Sequence, residues 1–273
     1  MKLGISSFTY SWAVGIPGYP VERPLTLLGL LEKAQALGVR VLQIGDNLPL
    51  HALPEPELAA FARAARAQGV AIETGTRGIA PDHLRTYLRL AVRLGSPILR
   101  VVIDTATHEP DADEVVATLQ PLAGDFAAAN VTLAIENHDR FRAQELAEIV
   151  RRLGPWVGIC LDTVNSLGAL EGPDIVVQVL GPLAVNLHVK DFCVQRVPYK
   201  LGLVVTGSPA GRGRLDVPWL LQRLHEMGRD VNAILEQWTP QQATIAETIA
   251  LEDAWARESV AYLQALLAQE KTR

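Results

Sequence analysis

The stretch VTLAIE at 131–136 is an apolar run that stops on a carboxylate. VGICLD at 157–162, AVNLHVKD at 184–191 and NAILE at 232–236 repeat the pattern, placing Glu136, Asp162, His188 and Glu236 at or near the ends of four successive runs. Short apolar runs without polar alternation suit strands buried on both faces, as in a parallel sheet. Four earlier runs match them, at 3–8, 39–44, 70–74 and 98–103. Helical spacing of apolar residues fills the intervals, at 25–37, 56–68, 82–94, 112–129, 142–152, 173–180, 217–227 and 243–268. Gly38, Gly69, Gly95 and Gly228 close helical patterns, and Pro24, Pro81 and Pro218 fall near helix starts. Eight βα units in 273 residues predict one (β/α)8 TIM barrel, a single domain spanning residues 1–273. An open dinucleotide-binding sheet fits less well, because no Gly-rich phosphate loop follows 3–8.

Strand ends of a closed barrel converge on one mouth, so the four polar residues can meet despite their spacing. Three carboxylates held together repel one another unless a cation intervenes. Oxygen donors with one imidazole predict one divalent ion, manganese, magnesium or cobalt, with zinc as a further option. Taken singly, each residue also suits a structural salt bridge, with Lys190 and Arg77 as partners. Period-two alternation turns Lys190 to the same face as His188 and turns Asp191 away. His138 lies two residues beyond Glu136 and is a candidate hydrogen-bond donor to substrate, or an exposed loop histidine. Trp12 and Trp238 are candidate apolar walls, or mouth packing. Glu73 and Arg77 in IETGTRG are secondary candidates, and His51, His83, His108 and His225 have no ligand spacing. The segment between Lys190 and Asp216 shows no helical pattern and is long for a loop. It is expected to close over an anionic substrate, with Lys190 and Arg196 as cationic contacts.

Composition narrows the partners. A net charge of −5 argues against a general nucleic-acid binder, and 49% hydrophobic residues provide for a large core. Two cysteines, no signal-peptide pattern and no membrane-length apolar run fit a cytoplasmic protein with a small-molecule partner. Self-association into a homo-oligomer is left open.

AIENHD at 134–139, CLDTVNS at 160–166, LHVKDF at 187–192, GRGRLDVPWLL at 211–221 and ILEQW at 234–238 resemble the xylose isomerase-like TIM-barrel superfamily of sugar isomerases and epimerases. That resemblance implies a metal held by Glu136, Asp162, His188 and Glu236, with Glu136 and Glu236 as the acid/base pair. It implies an isomerase or epimerase that passes through an enediolate of a ketose or sugar acid. Epimerases of the group often carry histidine three residues after the Asp. Here Asn165 stands there, able to hydrogen-bond a sugar hydroxyl but not to act as acid or base. KDFCVQR with GSPAGRGRLD also resembles the branch that contains 3-oxo-isoapionate decarboxylases, which implies a lyase as the alternative. Two other readings are a DNA-repair endonuclease of the same fold and a non-enzymatic sugar-binding barrel. The first calls for more histidines and a basic face, and the second for no bound metal.

Overall fold

In the computed structural model, which describes residues 1–270, eight runs become parallel strands of one closed barrel. They are β1 (Leu3–Ser6), β2 (Val41–Ile44), β3 (Ala71–Arg77), β4 (Ile98–Val102), β5 (Thr132–Glu136), β6 (Val157–Asp162), β7 (Ala184–Val189) and β10 (Ala233–Leu235). Two more, β8 (Asp191–Arg196) and β9 (Leu203–Ser208), form an antiparallel hairpin outside the barrel. The barrel order is β1-β10-β7-β6-β5-β4-β3-β2, so neighbours in sequence are neighbours in space, and the first strand pairs with the last. The chain thus forms a TIM barrel in a single domain.

The helices lie where the spacing predicts, with two departures: the short α1 at Ser11–Val14, which no helical spacing announces, and a split in the fourth predicted helix. They are α1 (Ser11–Val14), α2 (Leu27–Ala36), α3 (Glu55–Gln68), α4 (Pro81–Leu94), α5 (Ala112–Leu119), α6 (Ala123–Ala129), α7 (Ala143–Leu153), α8 (Pro173–Leu180), α9 (Val217–Glu226) and α10 (Ile245–Glu270). The helix expected over 112–129 is two, because Pro121 sits in a 3-10 turn at Gln120–Leu122. Proline lacks the N–H that would continue the α ladder. Gly69 and Gly95 cap α3 and α4 at φ 66° and 71°, a conformation costly for other residues. Pro81 begins α4, whereas Pro24 lies outside α2, whose N-cap is Thr26. Each helix turns an apolar stripe onto the barrel: Phe61 of α3 and Tyr87 of α4 are fully covered. Truncating such a residue costs about 3–5 kcal/mol through lost transfer energy and the cavity left behind.

The segment expected to be a loop after β7 is mostly the β8–β9 hairpin. Asp191 fixes its return: Oδ2 accepts from the amides of Gly211 and Gly213, and Oδ1 from that of Leu215. Its structural role follows from the alternation that turns it away from His188. No helix among the described residues is long and apolar enough to cross a membrane.

Candidate active site

Register decides which polar side chains share the mouth. Asp162 of β6 pairs with His188 of β7, and His188 with Ile234 of β10, two residues before Glu236. Glu136 is level with Cys160, one turn of the pleat below Asp162. All four side chains are almost completely buried. His188 Nδ1 lies 3.5 Å from Glu136 Oε2, 3.7 Å from Asp162 Oδ2 and 3.5 Å from Glu236 Oε1. It makes no hydrogen bond to any of them or to another described residue. A buried nitrogen facing three carboxylate oxygens at 3.5–3.7 Å is an arrangement that would suit a divalent cation.

Ligand atoms of Asp162, His188 and Glu236 all lie within 4.8 Å of one another, as do those of Glu136, Cys160 and His188. Cys160 is the poorer donor. Burial pushes its thiol up to about 11, so it stays protonated at neutral pH. Four hard oxygen and imidazole donors therefore fit a divalent ion.

Cations already surround the cluster. Lys190 Nζ sits 2.9 Å from Asp162 Oδ2 and 3.1 Å from Glu236 Oε2, and donates to Asn165 Oδ1 at 3.3 Å. Burial opposes its charge, but Asp162 and Glu236 prevail and raise its pKa. Arg100, buried in β4, bonds Glu136 through Nε and Asp46 through Nη1 at 2.7 Å. Burial alone would raise the Glu136 pKa; Arg100, then His188 and Lys190, more than reverse this and hold it well below the usual carboxylate range. Asn165 does not face the cavity freely. Its amide donates to Glu136 Oε1 at 2.7 Å, and its carbonyl receives Lys190.

Two cavities open above these groups. The smaller, about 240 Å³, is lined by Arg77, Arg100, Glu136, His138, Asn165, Lys190, Glu236 and Trp238 among others. The larger, about 560 Å³, includes Trp12, Ile16, Pro17, Val205 and Trp238 and shares Phe8 with the first. The structure thus brings together all four proposed ligands with Lys190, Asn165, His138 and Trp238. Trp12 lies in the neighbouring cavity, its indole N–H donating to the Thr239 carbonyl. Arg196 is the exception. It is exposed at the far end of β8, bonded to the Lys200 carbonyl, and lines neither cavity. The hairpin carries its side chain outward, and the arginines that line the smaller cavity are Arg77 and Arg100. Arg100, Gln43 and Asp46 had not been singled out in the sequence. Arg100 in ILRVV had a readable signal, since arginine inside a buried strand requires an acid.

The family described as Xylose isomerase-like TIM barrel matches residues 31–266, and the chain belongs to it. The chain is 36% identical over 264 residues to a 3-oxo-isoapionate decarboxylase from Pectobacterium atrosepticum, covering 96% of this chain and 95% of that protein. Among solved structures it resembles a D-psicose 3-epimerase with D-tagatose from Clostridium cellulolyticum H10, with TM-score 0.72 and 17% identity over 98% and 99% of the two chains. A xylose isomerase-like TIM barrel protein from Mycobacterium smegmatis in complex with magnesium gives TM-score 0.69 and 13% identity over 95% and 96%.

Proposed function

We propose that this chain is a divalent-metal-dependent lyase that decarboxylates a 3-oxo sugar acid, with Glu136, Asp162, His188 and Glu236 as metal ligands. The observation that carries this reading is the cationic wall. Arg77, Arg100 and Lys190 line the same small cavity as Glu136 and Glu236. Neutral ketoses give such a wall no charge to meet, whereas a carboxylate does. Both arginines are braced from behind. Arg77 uses Nε on Asp46 and Nη1 on the Asp104 carbonyl, and Arg100 uses Nε and Nη1 on Glu136, Asp46 and the Thr76 carbonyl. Neither spends Nη2 on a hydrogen bond among the described residues, which leaves planar donors for a substrate carboxylate.

A divalent ion bound there would polarise the 3-oxo oxygen and accept the charge left as CO2 departs. The side chains do the rest: Arg77 and Arg100 orient the carboxylate, the Lys190 ammonium supplies positive charge and then the proton that the enolate carbon takes up once the bond to CO2 has broken, and Phe8 and Trp238 screen the enolate from bulk water. The low proton affinity of Glu136 suits this reaction, because loss of CO2 needs no base to take a carbon-bound hydrogen. The 36% identity to a decarboxylase supports the same reading.

A second reading, isomerase or epimerase, is favoured by one feature. Glu136 and Glu236 flank His188 Nδ1 at equal distance and could exchange protons on either side of a substrate carbon. One experiment separates the two. Mn²⁺-loaded protein is given a carboxyl-¹³C-labelled 3-oxo-isoapionate and, in parallel, ketoses in D₂O, with NMR detection. Labelled CO2 from the acid and no deuterium in the ketoses supports the lyase. Deuterium exchange without CO2 release overturns it in favour of the isomerase.

A further inference from the structure

Beneath the ligand cluster, on the core side of His188, lies a polar group with no part in the chemistry above. Glu73 of β3 is buried, and both of its oxygens are taken by amides. Oε2 accepts from Gln43 Nε2 at 3.0 Å and Asn186 Nδ2 at 2.9 Å, and Oε1 from Asn232 Nδ2 at 2.7 Å. Burial pushes its pKa up, and the three amides draw it only part of the way back. Placing a carboxylate among barrel side chains is costly, so its consequence for its neighbours is informative.

The consequence is orientational. An amide that gives its NH₂ to Glu73 must turn its carbonyl elsewhere. For Gln43 that carbonyl lies 2.7 Å from His188 Nε2. A carbonyl can only accept, so Nε2 carries a hydrogen. Cys160 Sγ, 3.2 Å from the same nitrogen, can give its own hydrogen to Asn186 Oδ1 at 3.4 Å. With the hydrogen fixed on Nε2, the lone pair of the neutral ring is left on Nδ1, the atom that faces Glu136, Asp162 and Glu236.

We infer that Glu73 and Gln43 are positioning residues: Glu73 sets the orientation of the Gln43 amide, and Gln43 fixes the His188 tautomer and ring angle that present Nδ1 to a divalent ion. This rests on the metal reading of the site above. It adds a chain of two links that starts on β3, crosses β2 and ends on β7. A ligating histidine whose other ring nitrogen is hydrogen-bonded gains basicity and loses rotational freedom, and losing such a partner weakens metal binding about 10- to 100-fold.

The test uses the full chain, with Mn²⁺ for affinity and Mg²⁺ for NMR. Glu73→Gln keeps size and shape but offers Gln43 an NH₂, which favours a flipped Gln43. Gln43→Met removes the acceptor and keeps the volume. Both variants are expected to bind Mn²⁺ about 10- to 100-fold more weakly than wild type. In Mg²⁺-loaded, ¹⁵N-histidine-labelled protein, the His188 Nε2–H proton is expected downfield and slow to exchange in wild type. It is assigned by its absence from His188→Ala. In both variants it should move upfield or be lost to exchange. A mere packing defect would not move that resonance selectively. If both variants bind Mn²⁺ within about two-fold of wild type and keep the downfield proton, the relay is wrong and the metal reading stands. If wild-type protein binds no Mn²⁺, both fall.

Discussion

The two halves of the barrel contribute opposite things to one mouth. Strands β5, β6, β7 and β10 supply Glu136, Asp162, His188 and Glu236, a cluster rich in negative charge. Strands β1 to β4 supply Ser6, Gln43 and Arg100, which bond members of that cluster, with Glu73 behind Gln43 and Arg77 sharing Asp46 with Arg100. Ser6 donates to Glu236 at 2.9 Å, Arg100 pairs with Glu136, and Gln43 receives His188. The difference teaches that a metal-type ligand set is half of a site. Glu136 keeps its charge because Arg100 of the opposite strands neutralises it, and Gln43 of those strands bonds the imidazole.

Removing a ligand should have the largest effect. His188→Ala is expected to lose stoichiometric metal, with kcat/KM reduced on the order of a thousand-fold or more. The circular dichroism spectrum should be unchanged, because His188 sits at the mouth and outside the apolar layers. Normal metal content in the purified variant contradicts the assignment of the ligand half.

Removing the principal cation of the other half comes next. Arg100→Met leaves Glu136 buried without its paired guanidinium, while the half-buried Asp46 keeps Arg77, and breaking a buried pair costs about 3–5 kcal/mol. Urea unfolding of the metal-free protein should show the loss, and saturating Mn²⁺ should recover part of it. Wild-type stability in that variant would mean that the two halves are independent.

The pH dependence of the metal-free protein sharpens the same point. Burial works against both charges, yet Arg100 holds Glu136 low and Asp162 holds Lys190 high. A depressed carboxylate contributes stability above its unfolded value of about 4.3, lost as pH falls through the folded value. A raised lysine contributes stability below its unfolded value of about 10.4, lost as pH rises through the folded value. These two groups therefore lower the melting temperature at the acid and alkaline extremes. Glu252, which burial pushes up to about 7, makes stability fall as pH rises from about 4.3 to about 7. His188, raised above its ordinary value, makes it fall further above about 6.5. Lys190→Met should weaken the alkaline fall and leave the Arg100–Glu136 part of the acid one.

The smallest effect belongs to Arg196. Its guanidinium bonds the Lys200 carbonyl on the exposed hairpin. Arg196→Ala should leave KM for an acidic substrate within about two-fold, since exposed contacts of this kind contribute little. A larger rise in KM would restore the hairpin as an anion clamp.

The two halves also differ in how legible they are. Glu136, Asp162 and Glu236 end clean apolar runs, so a charge there stands out, and the barrel follows from eight such runs. Gln43 in VLQI, Glu73 in AIETGTR and Arg100 in ILRVV sit inside strands, where either face is available to a polar residue. Their partners are fixed only by closure and register, which bring Gln43 level with Glu73 and Arg100 level with Gly75. The hairpin was hidden for another reason. An apolar run reports burial, whereas Leu203, Val204 and Val205 of β9 are exposed and held by antiparallel pairing with β8. Asn165 lines the smaller cavity and also bonds Glu136 and Lys190, contacts that spacing along the chain does not reveal.

The central claim is that His188 Nδ1 and the three carboxylates around it hold one divalent ion. Anomalous diffraction from a crystal grown with Mn²⁺ tests it most directly. The account predicts one peak per chain, about 2.0–2.6 Å from Nδ1 and from oxygens of Glu136, Asp162 and Glu236. A peak elsewhere, or none with Lys190 bridging Asp162 and Glu236, would contradict it.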